Sequence, residues 1–280
     1  MQTTALTEAD IPACMALSTE AGWNQNEADW RRIMGSGEAH GLRDNGTLIA
    51  SSAILPYGTA FGWICMILVT ASAQRRGHAM RLMKDCIERL EQRQFVAGLD
   101  ATPAGRTVYI QLGFEDIYPI TRLYAERLPS PDMPADDLAV SQITAADWRD
   151  LLAFDAVAFG SDRAVLLRAL QADQPNLALI ARRGDALAGY AFGRSGRFAT
   201  HLGPIVSAEQ EVAARLVEAA SSFVTGPVSI DVPDHQRDLV ASLEAWGFKK
   251  QRGFTRMLRG RKTAFGEPLL TMAITGPEFG

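Results

Sequence analysis

Ile67-Leu68-Val69-Thr70-Ala71-Ser72-Ala73-Gln74-Arg75-Arg76-Gly77-His78-Ala79-Met80 is the stretch on which the reading of this chain turns. Its apolar start continues a run from Trp63, and a short apolar run bounded by turn residues reads as a buried strand. A polar loop follows. Gly77 then opens a helix to Arg93 whose Ala79, Met83, Cys86 and Leu90 form one apolar stripe. The first N–H groups of a helix lack intrahelical acceptors, and the N-terminus carries partial positive charge, so this order of elements makes an anion site. Gly77 has no Cβ to hold an anion off the backbone, and Arg75 and Arg76 add charge nearby. Two readings fit the string alone: a pyrophosphate cradle, or a solvated Arg-Arg-Gly turn before an amphipathic helix.

Outward from it, the pattern predicts a strand at 3–6, helices over 11–17 and 27–34, and strands near 39–43, 47–55 and 61–69. After the helix at 77–93 come a strand at 95–100, a short helix at about 104–112 and a strand at 114–126. This is an α/β chain with a mixed, mostly antiparallel sheet flanked by helices. The order then recurs. Leu6-Thr7-Glu8-Ala9-Asp10 is echoed by Ile143-Thr144-Ala145-Ala146-Asp147, each a Thr-x-x-Asp helix start whose side chains can satisfy orphan N–H groups. Asn45-Gly46 is echoed by Arg183-Gly184 as a hairpin turn, Asp100 by Asp231, and Leu112-Gly113-Phe114 by Trp246-Gly247-Phe248. A second long helix, at roughly 208–224, carries Val212, Leu216, Ala219 and Phe223. Two copies of one fold account for this recurrence. Leu128–Asp137 packs three prolines and three aspartates into a linker. The expected domains are 1–128, a linker at 129–139, and 140–280.

Composition excludes several classes. The 280 residues are 47% hydrophobic and 21% charged with a net charge of -4, which excludes a disordered chain and offers no electrostatic footprint for nucleic acid. The uncharged stretch between Asp44 and Arg75 is broken by Pro56, Gly58 and Gly62. It falls short of the roughly 20 continuous apolar residues that a membrane span needs. The start has neither a basic segment nor an apolar core of a signal peptide. Cys14, Cys65 and Cys86 are scattered and odd in number, so neither a disulfide framework nor a metal site is expected and the cytoplasm is the expected compartment. A homodimer is compatible with the sequence, which does not fix the oligomeric state.

Gln74-x-x-Gly77-x-Ala79 after a strand, with Tyr109-Ile110-Gln111-Leu112-Gly113-Phe114 some thirty residues later, resembles the GNAT superfamily of acyl-CoA N-acyltransferases. The resemblance extends to a bacterial tandem-GNAT group through Gly22-Trp23-Asn24-Gln25, Asp100 to Gly105, Thr255-Arg256-Met257 and Gly276 to Gly280. It implies an acetyl-CoA co-substrate and a small-molecule amine acceptor, with direct attack in a ternary complex; an acyltransferase of this fold with another acyl-CoA or acceptor, and a module that senses CoA without turnover, are the alternative readings. It implies that Ile67, Leu68 and Val69 pair with the pantetheine arm, and that Gln74, Arg75, Arg76, Gly77, His78, Ala79 and Met80 hold the pyrophosphate. Tyr109 matches the tyrosine that protonates the departing thiolate; its alternative role is a core aromatic. Many relatives carry a glutamate as general base on the strand before the loop, whereas Trp63–Val69 has no acid. Asp100, at the end of its strand, is the nearest candidate by topology, and capping the turn into Thr102-Pro103 competes with that role. Trp23, Asn24 and Gln25 fall in the loop that covers the acceptor side, where Asn24 or Asn26 could instead cap a helix.

The second copy lacks these signals. At the loop it reads Ser207-Ala208-Glu209-Gln210-Glu211-Val212, with no glycine and two glutamates where a pyrophosphate would lie, and Leu243 stands at the tyrosine position. It is expected to complete the acceptor pocket or the fold, with Phe154, Asp155, Phe159, Arg163 and Asp231 as candidate pocket residues. Cys65 reads as a small hydrophobe, and His78 as an exposed loop residue.

Overall fold

The structure, a computed structural model, describes residues 2–128 and 137–280. The linker expected at 129–139 therefore lies largely outside the described residues. In chain order the first copy forms β1 (Thr4–Ala5), α1 (Ile11–Glu20), α2 (Glu27–Ser36), β2 (Glu38–Asp44), β3 (Thr47–Tyr57) and β4 (Phe61–Val69). It continues through α3 (His78–Gln92), β5 (Val96–Ala101), α4 (Pro103–Gln111) and β6 (Phe114–Ala125). The second copy forms β7 (Leu138–Gln142), α5 (Trp148–Phe159), α6 (Ala164–Asp173), β8 (Leu179–Arg183), β9 (Ala186–Arg194) and β10 (Thr200–Ser207). It ends with α7 (Gln210–Ala220), β11 (Val228–Pro233), α8 (Arg237–Ala245), β12 (Lys249–Arg259) and β13 (Thr271–Ala273). No described helix is long and apolar enough to cross a membrane.

The repeat is visible in atoms as well as letters. Thr7 N–H donates to Asp10 Oδ2 at 2.9 Å, and Thr144 N–H to Asp147 Oδ2 at 2.7 Å. Arg43 grips Asp10, and Arg182 grips Asp147, from the strand before each hairpin. The first hairpin turns at Asn45 (φ 48°) and Gly46 (φ 84°), both left-handed as a two-residue turn between twisted strands requires. The second turns at Gly184-Asp185 rather than Arg183-Gly184, because Arg183 still pairs with Ala186. Phe223 also departs from expectation: α7 ends at Ala220, so Phe223 leaves the apolar stripe and is exposed.

The chain clusters into two compact units that do not follow the linear halves. The first comprises Met1–Asp116, Arg256–Lys262 and Pro277–Gly280; the second comprises Ile117–Thr255 and Thr263–Gly276. Each copy thus gives up part of the strand that ends its own repeat, β6 from Ile117 onward and β12 from Arg256 onward. In the first unit the strand order is β1-β2-β3-β4-β5, with the last residues of β12 beside β5. In the second, β6 pairs antiparallel with β11 from Val228↔Ala125 to Pro233↔Ile120, and the order continues β10-β9-β8-β7. The physical sign of the exchange is a pair of matching ion pairs. Asp100 binds Arg256 in the first unit and Asp231 binds Arg122 in the second, each aspartate taking the arginine of the other repeat.

Helix α3 covers one face of the first unit's sheet. Its Leu82, Met83, Cys86, Ile87 and Leu90 are buried, at roughly 1.5–3 kcal/mol for each large apolar side chain, so packing rather than propensity fixes it. Helices α1 and α2 pack against β3, and α2 opens with an Asn26–Asp29 capping box.

Candidate functional site

The site begins with an irregularity in β4. Ile64 and Ile67 both pack in the apolar cluster under α3, though three residues apart. Alternation along a strand forbids that unless one residue is extra. Met66 is that residue: its φ is 53°, and the β3–β4 register shifts between Ser51 and Ala53. The buried Ser51 hydroxyl donates to Met66 O at 3.0 Å and fixes the bulge. On the other edge, β4 pairs in parallel with β5 only over Phe61↔Val96, Gly62↔Ala97 and Trp63↔Gly98. Beyond Trp63 the two strands part, and no further β4–β5 pair occurs among the described residues. The main chain of Ile67, Leu68 and Val69 therefore lines an opening, and unpaired strand backbone is a template for another extended chain.

The opening leads into the loop. Glu20, at the end of α1, accepts from Thr70 Oγ1 at 2.7 Å and from Ala71 N at 2.8 Å, which pins the exit of β4. Those two hydrogen bonds hold its carboxyl below the ordinary glutamate range. Gln74 Nε2 donates to Val69 O at 3.2 Å and closes the loop on itself. Gly77 caps α3 at φ 81°, a left-handed conformation natural to glycine, with nothing within 4 Å of where a Cβ would stand. The backbone N–H groups of residues 75–80 meet no protein acceptor among the described residues. Arg75, Arg76, Arg81 and Lys84 surround them exposed, without an ion pair among the described residues, while His78, Ala79 and Met80 are half-buried. An open depression of about 430 Å³ beside Gly77 is lined by Thr3, Met80, Arg81 and Lys84 and, on the side away from the loop, by the carboxylates of Asp85 and Glu88. Six free donors, a helix N-terminus and four cations make an anion-binding surface.

Tyr109 lies on α4, with its ring packed against the cluster under α3 and 6.1 Å from the Phe114 ring. Gly105 makes room for it: a Cβ there would stand 2.9 Å from Tyr109 Cε2. Burial, with a smaller contribution from Cys86, pushes the phenol up to about 12. It keeps its proton through the neutral range.

Thr102 caps the turn after β5, accepting from Gly105 N at 3.2 Å. The Asp100 side chain is fully buried and bidentate to Arg256, at 2.9 Å from both Nε and NH2. The Arg256 guanidinium in turn lies 4.7 Å from the centre of the Trp63 ring. In the loop between α1 and α2, Trp23 is half-buried while Asn24 and Gln25 are buried, and Gln25 Oε1 has no hydrogen-bond partner among the described residues. The capping role falls to Asn26. Cys65 is buried and burial pushes its thiol far up, which leaves it inert. Glu20 and Ser51 carried no signal in the sequence beyond their letters, and Arg256 stood out only within the Thr255-Arg256-Met257 motif, because each acts through a partner distant along the chain.

The second unit has the same parting of strands, filled. β10 pairs in parallel with β11 at Thr200↔Val228, His201↔Ser229 and Leu202↔Ile230, and then β13 takes its place on β10. Ile205 pairs with Ala273, Val206 with Thr271, and Ile274 N–H donates to Asp231 O at 2.9 Å. Its helix α7 starts with Glu209, which is bound to Arg183, and Glu211 in the first turn; Leu243 is buried in the core. Asp155 and Arg163 form a buried ion pair completed by Tyr190 and Thr275. Phe159 stacks under Arg163.

Models of acetyltransferase (GNAT) domains match the chain twice, over residues 2–117 and 151–267. An uncharacterized N-acetyltransferase, YitH, of Bacillus subtilis is 26% identical over 249 residues, which is 88% of this chain and 86% of that one. The holothin acyltransferase of a Pseudoalteromonas species is 27% identical over 234 residues, 83% of this chain and 78% of that one. Among solved structures, a putative acetyltransferase of Pyrococcus horikoshii shares the fold with a TM-score of 0.83 at 18% identity, covering 100% of this chain and 95% of that one. A tandem GNAT protein from the clavulanic acid biosynthesis pathway does so with a TM-score of 0.64 at 17% identity, covering 92% and 97%. With an open strand pair and anion cradle in one unit and the same strands occupied in the other, the chain belongs to the GNAT superfamily of acyl-CoA N-acyltransferases, as an acyltransferase with two such domains in tandem.

Proposed function

We propose that the first unit transfers an acetyl group from acetyl-CoA to the primary amine of a small molecule, by direct attack in a ternary complex. The observation that carries this is the parting of β4 from β5, open and leading into unpaired N–H groups at α3. The pantetheine arm pairs with the main chain of Ile67–Val69. The pyrophosphate sits on the N–H groups after Gln74, and Arg75, Arg76, Arg81 and Lys84 neutralise the phosphates. Positioning and main-chain donors polarising the carbonyl supply most of the rate. Tyr109, held protonated, donates to the sulfur as the C–S bond breaks. Trp23, Asn24 and Gln25 face the acceptor. Asp100 acts as a positioning residue, through Arg256 and the Trp63 ring, rather than as a base: each carboxylate oxygen already accepts an N–H. No metal is required by this scheme, and we place the enzyme in the cytoplasm. The second unit, its strand opening filled by its own β13, takes no cofactor.

Calorimetric titration with acetyl-CoA, beside Gly77→Glu, tests the proposal. One site per chain, lost in the variant, is the expected result, followed by thiol release with a panel of amines. Two sites, or none, would refute it.

A further inference from the structure

An aromatic ring closes the end of the opening between β4 and β5. The two strands stay paired only as far as Trp63↔Gly98, and the Trp63 indole reaches across that last pair. A Cβ on Gly98 would stand 2.6 Å from Trp63 Cζ3, 2.8 Å from Trp63 Cε3 and 2.9 Å from Leu258 Cδ2. The ring thus occupies the place where a side chain of β5 would go. Further contacts hold it there. Its N–H donates to Pro277 O at 2.9 Å, the Arg256 guanidinium lies 4.7 Å from its centre, and Asp100 fixes that guanidinium from β5. Trp63 is 2% exposed. On the opposite face of the sheet Ile64 and Leu99 pack with Met83 in the cluster under α3. The point at which the strands part is therefore filled on both faces, by a fixed indole on one and by apolar core on the other.

The direction of a bound thioester follows from the same elements. The unpaired N–H groups of residues 75–80 lie beyond the C-terminal end of β4, and the main chain of Ile67–Val69 lies between them and Trp63. A molecule with its pyrophosphate on those N–H groups and its arm along Ile67–Val69 runs towards Trp63. The acyl group, at the end furthest from the phosphates, is the part that meets the ring. An interior packed like an organic crystal has no spare volume for added methylenes, and a buried ring held from several sides does not swing aside for them without strain.

Resting on the acetyl-transfer reading above, we propose that Trp63 sets the length of the acyl group: the site takes acetyl-CoA and rejects straight-chain thioesters from butyryl-CoA upward. An acetyl group has one methyl beyond its carbonyl, and that methyl rests against the indole. Butyryl adds two methylenes and hexanoyl four, in space that the ring fills. Each methylene without room in a pocket is worth about tenfold or more in kcat/KM, so the rejection grows with chain length. The buried ion pair then has a role in selectivity: Asp100 holds Arg256, and Arg256 holds the ring.

The test uses the full chain, native and as Trp63→Phe and Leu258→Ala, with acetyl-, butyryl- and hexanoyl-CoA. Each protein is melted, titrated with each thioester by calorimetry, and assayed for thiol release with the best amine of the panel. The quantity read is kcat/KM for hexanoyl-CoA divided by kcat/KM for acetyl-CoA, a ratio that does not depend on how much of the sample is folded. The native ratio is expected at about 10⁻² or below, with butyryl-CoA between the two. Trp63→Phe removes the part of the ring that overlies Gly98 and keeps an aromatic beside Arg256; it raises the ratio about tenfold. Leu258→Ala opens space beside the ring from β12 and moves the ratio the same way. A native chain that uses hexanoyl-CoA as readily as acetyl-CoA overturns the proposal, and so does a selective native chain whose ratio neither variant raises. A native chain that takes none of the three thioesters overturns the acetyl-transfer reading itself, which separates the two failures.

Discussion

Asp100→Asn separates a structural carboxylate from a chemical one. In the folded first unit the Asp100 side chain is fully buried and that of Arg256 is 11% exposed. The substitution leaves the guanidinium charged, largely desolvated and without its anion. Breaking a buried pair from one side costs about 3–5 kcal/mol. A unit of this size loses about 4 °C of melting temperature per kcal/mol, so its transition should fall by roughly 12–20 °C. Asp100→Leu combined with Arg256→Met removes both charges and fills the space with apolar groups. A matched apolar replacement is often neutral or stabilising, so the double variant should regain most of the loss. The assay is scanning calorimetry of the full chain for both single variants and the double, with acetyl-CoA titration alongside. If Asp100→Asn costs less than about 1 kcal/mol, the range of exposed pairs, yet abolishes turnover, the positioning role is refuted and Asp100 returns to the chemistry.

The other predictions follow from single contacts. Tyr109→Phe should lower kcat by about 10²–10⁴-fold while sparing acetyl-CoA affinity. Gly105→Val, whose Cβ would stand 2.9 Å from Tyr109 Cε2, should displace that ring and lower kcat by about 10²-fold with little effect on acetyl-CoA affinity. Acetyl-CoA affinity should weaken steadily from low to about 0.5 M salt, because the four cations around α3 are exposed and screened; a salt-independent affinity would remove them from the site. The carboxyl of Asp10 is lowered chiefly by the Thr7 N–H, and that of Asp147, raised by burial, is brought down overall by Thr144 and Arg182. A lowered carboxyl contributes stability that is present above its unfolded value of 3.8 and lost as pH falls through the folded value. Asp10→Asn and Asp147→Asn should therefore flatten the acid limb of the melting temperature without changing it near neutrality relative to pH 5.

What the letters disclosed were features settled within a few residues. The bounds of β4 at 61–69, the helix after Gly77, the two Thr-x-x-Asp starts and the Asn45-Gly46 turn all rest on local pattern or capping chemistry. The bulge at Met66 stayed hidden because Trp63–Val69 is apolar throughout, so an extra residue breaks no alternation. The partner of Asp100 stayed hidden because Arg256 is 156 residues away. The linear halves were a fair reading of the repeat and a poor guide to the compact units, since nothing in a strand's own sequence says which copy of the fold it will complete. The Gly-Pro-Glu-Phe-Gly end was legible as a motif, yet its role depends on hydrogen bonds to residues more than 200 positions earlier.

The exchange of closing strands also sets a clock on synthesis. When Asp116 leaves the ribosome, the first unit still lacks Arg256–Lys262, about 140 residues downstream, and then Pro277–Gly280. At roughly 5–20 residues per second that interval lasts on the order of ten seconds. Through it the outer edge of β5 has no partner strand and Asp100 has no guanidinium, a state in which a nascent chain invites chaperones or wrong pairings. Until Pro277–Gly280 emerge, the Tyr57 hydroxyl and the Trp63 indole N–H lack their carbonyl acceptors, so the first unit is completed only by segments made long after its own strands.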